Sequence, residues 1–300
     1  MRSLDELSIT TAVLQGLSNT RNERLKLVMT ALIGHLHDFT REVRLTPDEW
    51  LEAIKFLTST GQICTDRRQE FILLSDTLGL STLVNALQSR TEDATPSTVL
   101  GPFYRDDAPF LAMGASISTK QFSPLLVHGH ISDAGGRPIE GAEFDVWQAS
   151  DDGFYDIQRE DPREIDLRGH FRTGRDGCYE FYTERPGGYP IPNDGPVGKM
   201  LAALGRHPNR PAHIHFLIKA EGYENLATAL YLSDSPYIGD DAVFGDDGAL
   251  AVSVSPPATA TKGPPSIAYD FVLASTMSAV ERRGVGADAS KLRERGKRSG

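Results

Sequence analysis

Three His-x-His pairs offer metal-ligand chemistry: His35 and His37, His128 and His130, His213 and His215. Which of them can act depends on the backbone that carries them. In a helix, positions i and i+2 point about 200° apart, so His35 and His37 read as ordinary surface or packing residues. In a strand the same spacing puts both rings on one face. His128 and His130 have that geometry, but the sequence sets no further ligands beside them. His213 and His215 follow the rigid, basic run Arg206-His207-Pro208-Asn209-Arg210-Pro211. Ile214 between them faces a core if both imidazoles face away from it. No cysteine pair, His-x-x-x-His helix or His-x-Asp pair completes a zinc or iron(II) site. Tyrosine is the remaining hard anionic ligand. A free phenol titrates near about 10, but a trivalent cation favours its phenolate. Tyr155 in DDGFYD and Tyr189 in PGGYPIPNDGP stand in suggestive settings. A buried or turn-supporting tyrosine is the ordinary reading of either one alone.

The elements that must position these residues change character along the chain. Residues 1–90 read as helical. In 25–43, Val28, Leu32, Leu36 and Phe39 fall on one side at helical spacing. The stretch 46–61 has Thr46 as cap, Pro47 at the first position and Gly61 as a stop. A third helix, 68–87, is apolar on more than one face. Near residue 92 the chain becomes rich in Pro, Gly and Asp, as a linker does. Short strands are predicted from about residue 125: LLVHGHISD, a strand within GRPIEGAEFDVWQASD, 177–184, 212–220, 227–234, 250–255 and 266–274. Several short strands between polar loops predict a β-sandwich. The loop from Arg185 to Arg210 is long enough to suggest a functional role. The fold expected is mainly β with an α-helical N-terminal part, divided into residues 1–95, 96–280 and a disordered basic tail at 281–300.

Composition excludes several classes. With 300 residues, 39% hydrophobic and 24% charged, the chain is sized for a substantial core and does not read as disordered. The net charge is −10, and the segment 281–300 has seven basic against three acidic side chains. The remainder therefore carries −14, which argues against a nucleic-acid partner. No apolar run of membrane-spanning length occurs. The N-terminus lacks a basic start followed by an apolar block, so no secretory signal is expected. Two cysteines, Cys64 and Cys178, make no disulfide framework and suit a cytoplasmic location.

Together, LGPFY (100–104), DVWQASDDGFYD (145–156), the GGYPIP loop and GRHPNRPAHIHF (205–216) resemble the intradiol ring-cleaving dioxygenases. The resemblance covers roughly residues 20–275. The order Tyr155, Tyr189, His213-x-His215, at intervals of 34 and 24 residues, is specific to that family. GFYDIQ and YPIPNDGPVG are nearer its hydroxyquinol-cleaving branch than the catechol or protocatechuate branches. The resemblance implies one iron(III) per subunit, held by Tyr155 and His213 as equatorial ligands and Tyr189 and His215 as axial ones. It implies that a 1,2-diol chelates the metal as a dianion and displaces Tyr189, which takes up a proton. The ring then opens between the two hydroxyl-bearing carbons with O2 as co-substrate. Arg210 matches the family's arginine beside the substrate; a loop salt bridge is its structural alternative. Leu73, Asp76, Val99, Pro102, Ile191, Pro192 and Val243 match substrate-pocket positions. Asp76 is expected to bond the third hydroxyl of hydroxyquinol, the alternative being a helix-local cap. Ala229 departs from the family, which usually places Gln or His there. The resemblance further implies a homodimer through the N-terminal helices, with a phospholipid possible at the interface. A diol of catechol or chlorocatechol type is the alternative substrate, and a non-catalytic β-sandwich binding module the alternative class.

Overall fold

The computed structural model describes residues 5, 6, 8–65, 68–88, 93–120, 123–161, 163–257 and 263–276. The expected basic tail lies outside the described residues. The chain divides into two compact units, Met1–Gln62 and Ile63–Gly300. The first contains helices α1 (Ser8–Gln15), α2 (Glu23–Glu42) and α3 (Pro47–Gln62). Asn22 caps α2, its side chain accepting from the Leu25 N–H at 2.9 Å. Thr46 and Glu49 form a reciprocal cap on α3: Glu49 Oε2 accepts from Thr46 N at 2.9 Å and Thr46 Oγ1 accepts from Glu49 N at 3.3 Å. Gly61 does not stop this helix, because it does not take the left-handed conformation that ends one. His35 and His37 lie on α2, and His37 Nδ1 pairs with Thr10 Oγ1 at 2.9 Å.

In the second unit the single helix expected over 68–87 is two: α4 (Glu70–Thr77) and α5 (Leu80–Gln88), bent by 73°. Gly79 makes the break at φ +72°, a conformation in which a side chain is strained. Helix α6 (Pro196–Ala203) lies in what the sequence presented as loop. The strands are β1 (Leu125–Asp133), β2 (Glu143–Gln148), β3 (Arg168–Arg172), β4 (Cys178–Thr183), β5 (Tyr189–Pro190), β6 (Asn209–Arg210), β7 (His213–Lys219), β8 (Leu226–Leu232), β9 (Ala251–Val252), β10 (Ser266–Ala268) and β11 (Phe271–Leu273). One sheet joins β1 to β4 on one side and to β10 and β11, in parallel, on the other. The second runs β3-β2-β7-β8-β9, and β5 pairs with β6 apart from both.

The core lies between the two sheets. Val127, Ile131, Phe181 and Phe271 from the first pack with Phe144, Val146, Ile214, Phe216 and Leu230 from the second. Strand alternation then decides what the second sheet shows on its other face. With Phe144 and Val146 inward, Asp145 and Trp147 point out; with Ile214 and Phe216 inward, His213 and His215 point out. Pairing aligns Arg168, Trp147, His215 and Ala229 in one row across β3, β2, β7 and β8. His213 and Tyr231 are aligned in the adjoining row. This outer face carries the site. Among the described residues, no single helix is long and apolar enough to cross a membrane.

Candidate active site

His213, His215, Tyr155 and Tyr189 meet on the outer face of the five-stranded sheet. His213 Nε2 is 3.1 Å from His215 Nε2, and the Tyr155 hydroxyl donates to the Tyr189 hydroxyl at 3.3 Å. Arg210 Nη1 bridges the two pairs, at 3.4 Å from the Tyr189 oxygen and 3.3 Å from His213 Nε2. All five residues are buried. Tyr155 arrives on the turn before a short 3-10 helix (Asp156–Gln158), where its N–H donates to Gln158 Oε1 at 2.9 Å. Gly153 makes that turn possible. It has φ +84°, and a Cβ there would stand 2.9 Å from Gly188 O and 3.0 Å from Tyr189 Cβ. Tyr189 and Arg210 are directly paired on β5 and β6, so the long segment 185–210 closes back on itself at the site.

Burial sets the protonation states. Loss of water, then the charge of Arg210, pushes His213 down to about 3. His215 is held well below the ordinary histidine value by burial first, then by His213. Both rings are neutral near pH 7. His213 is oriented by a 2.7 Å contact between Nδ1 and the Pro211 carbonyl. With the proton on Nδ1, the Nε2 lone pair faces the site. His215 Nδ1 has no partner among the described residues. Its ring is instead fixed by stacking on Trp147, with centroids 4.8 Å apart and 4° between planes. Burial and the proximity of Tyr189 raise the Tyr155 phenol well above its usual range. An apolar, buried phenol of this kind ionises only beside a strong positive charge.

Among the described residues, no group of three or more His, Cys, Asp and Glu is placed to hold a metal. Tyrosine oxygen is therefore needed to complete a centre here. Two phenol oxygens and two imidazole nitrogens converge, which fits a hard, highly charged cation: it would compensate the phenolates that burial otherwise forbids.

A cavity of about 240 Å³ opens beside this group and includes Tyr189 and Arg210 in its lining. Its wall also contains all seven positions expected from the sequence: Leu73, Asp76, Val99, Pro102, Ile191, Pro192 and Val243. Asp76 lies on α4 and is buried. Burial raises its carboxyl, although Ser81 and Arg210 oppose the shift. The remaining histidine pair is elsewhere: His128 and His130 lie on β1, and His130 Nδ1 contacts Asp270 at 3.1 Å.

Several residues were not legible in advance. Asp241 binds Arg210 through both carboxylate oxygens, at 3.0 Å to Nε and 3.0 Å to Nη2. Burial disfavours both charges, yet each holds the other ionised. The Tyr231 hydroxyl accepts from Arg210 Nη2 at 3.1 Å. Phe103 stacks on Tyr155 at 4.5 Å. Arg168, fully buried, donates to Asp156 at 2.6–2.8 Å and anchors the turn that follows Tyr155. Only chain folding brings these together, although Tyr231 could have been inferred from its pairing opposite His213.

Comparison with known proteins agrees with this geometry. The Dioxygenase family profile matches residues 101–275, and the Catechol dioxygenase N terminus profile matches 22–95. The 6-chlorohydroxyquinol 1,2-dioxygenase of Cupriavidus pinatubonensis is 46% identical over 279 residues, covering 92% of this chain and 100% of the relative. The hydroxyquinol 1,2-dioxygenase of a Rhizobium species is 50% identical over 225 residues, 74% of this chain and 76% of the relative. The crystal structure of hydroxyquinol 1,2-dioxygenase from Pseudomonas putida superposes with a TM-score of 0.84 at 45% identity, over 90% of this chain and 98% of that one. Tyrosines and histidines gathered on the outer face of a β-sandwich that follows a helical N-terminal region in the sequence thus accompany extensive sequence identity, and the chain belongs to the intradiol ring-cleaving dioxygenases.

Proposed function

We propose that this enzyme opens the ring of hydroxyquinol (benzene-1,2,4-triol) between its adjacent hydroxyl-bearing carbons, using O2. The product is 3-hydroxy-cis,cis-muconate, the tautomer of maleylacetate. The observation that carries the reading is the convergence of Tyr155, Tyr189, His213 and His215 beside a largely apolar cavity whose wall includes the buried carboxyl of Asp76. Those four residues would hold one iron(III) per subunit. When bound, the metal supplies the Lewis acidity that draws both hydroxyl protons off the diol and the redox access that lets the ring react with O2.

The chain's own residues do the rest. Tyr189 faces the cavity, and its oxygen can take up a substrate proton as the diol enters. The Arg210 guanidinium, locked by Asp241, stands at that oxygen and stabilises negative charge developing on the ring. Leu73, Val99, Pro102, Ile191, Pro192 and Val243 exclude water and hold the ring edge. Asp76 bonds the third hydroxyl, which a carboxyl buried at that wall is suited to recognise. The named relatives at 46% and 50% identity favour a trihydroxybenzene over catechol or a chlorocatechol.

The assembly is a homodimer formed through residues 1–95, with residues 96–280 as the catalytic part. The apolar face of α2 supports this: Val28, Leu32, Leu36 and Phe39 are 44–53% exposed. A phospholipid tail would fit the same face. The chain's two cysteines, too few for a disulfide framework, suit a cytoplasmic enzyme. Oxygen uptake with a panel of diols, followed by product identification, tests the reading. Hydroxyquinol should consume one O2 per ring opened, and the purified protein should be red to burgundy from tyrosinate-to-iron(III) charge transfer. Colourless protein that cannot be reconstituted with iron would return the chain to a binding module.

A further inference from the structure

The cavity has a polar end that ring binding does not use. Arg68, Gln69 and Glu70 line it together. Arg68 Nη1 and Nη2 donate to the two carboxylate oxygens of Asp194 at 2.9 and 2.8 Å, and its Nε donates to Glu70 Oε2 at 3.0 Å. The two carboxylates differ. The Glu70 side chain is 0% exposed, and its Oε1 also accepts from the Val197 N–H at 3.1 Å. The Asp194 side chain is 70% exposed. Glu70 is thus a fixed partner and Asp194 a loose one.

The Arg68–Asp194 contact also joins two walls of the cavity. Arg68 precedes α4, which carries Leu73 and Asp76. Asp194 follows the segment of Tyr189, Ile191 and Pro192. A guanidinium fork donates to any carboxylate of suitable approach, and Asp194, at 70% exposure, is the partner that a carboxylate arriving from solvent can replace. A diol substrate offers no carboxylate to compete. Ring opening turns the two adjacent hydroxyl-bearing carbons into carboxylates, so the product offers two.

We infer that Arg68 is a carboxylate-binding residue at the cavity mouth, which exchanges Asp194 for a carboxylate of the departing dicarboxylate product. The inference rests on the dioxygenase reading. Asp194 then acts as an internal competitor that limits product retention.

The test uses full-length, iron-loaded protein and cis,cis-muconate as the dicarboxylate probe, with its dimethyl ester as the neutral control. Binding is measured directly by calorimetry and as inhibition of oxygen uptake. Asp194→Asn should tighten muconate binding about tenfold, and Arg68→Gln should weaken it by a similar factor, the scale of one charge-assisted contact. The ester should be insensitive to both changes. Muconate affinities within twofold of each other in the native protein and Asp194→Asn would overturn the inference, as would ester affinities that move in parallel. Failure of the native protein to consume O2 with any diol would instead sink the dioxygenase reading, because the direct muconate titration remains interpretable without turnover.

Discussion

Tyr155 and Asp76 are both buried acids, and burial raises both. Their expected fates differ. Tyr155 ionises only with a cation beside it, so Tyr155→Phe should displace or abolish the visible charge-transfer band of iron-loaded protein. An unchanged spectrum would remove Tyr155 from the ligand set. Asp76 lines the cavity proposed for the substrate, and Asp76→Ala should lower kcat/KM for hydroxyquinol more than for catechol. Equal losses on the two substrates would reject the contact with the third hydroxyl. Asp76 also makes a stability prediction. Its folded-state value lies above the unfolded one, so its contribution is most favourable at pH below about 3.9 and is lost as pH rises through the raised value. Asp76→Asn should therefore raise Tm at pH 7, and the gain should vanish in acid. A Tm difference independent of pH would show that charge burial is not the cause.

At the scale of elements, the site depends on two short strands and the turns around them. β5 and β6 have two residues each, yet they align Tyr189 with Arg210. Asp241 secures Arg210 from a loop beyond β8. Removing one member of such a buried pair costs roughly 3–5 kcal/mol. Asp241→Asn should thus lower Tm markedly and also reduce kcat, whereas a pure stability defect would leave kcat of the folded fraction intact. His213 and His215 were legible in the sequence because strand alternation fixes the face of each residue from its number. Asp241 and Arg68 were not, because Asp241 reaches Arg210 from a loop and Arg68 meets Asp194 on another, approaches that no periodicity encodes. The break between α4 and α5 falls in the same class. Gly79 was visible in the sequence, but the apolar pattern continues across it, and only the left-handed backbone separates one helix from two.

At the scale of the molecule, the sandwich was readable from the spacing of its strands, and the helical N-terminus from 3.6-residue periodicity. The exposed face of α2 leads to a prediction for the whole assembly. Leu32→Glu with Leu36→Glu should halve the mass seen by sedimentation, and a native protein already monomeric would refute the dimer. The arrangement of the two tryptophans has another use. Trp50 is 55% exposed, whereas Trp147 is buried and stacked face to face on His215. If His215 holds iron(III) as proposed, an indole stacked on it should lose its emission when the metal is present. Replacing Trp50 with Phe would leave Trp147 as a lone intrinsic fluorophore, and its emission would then serve as an optical gauge of iron loading that needs neither substrate nor oxygen.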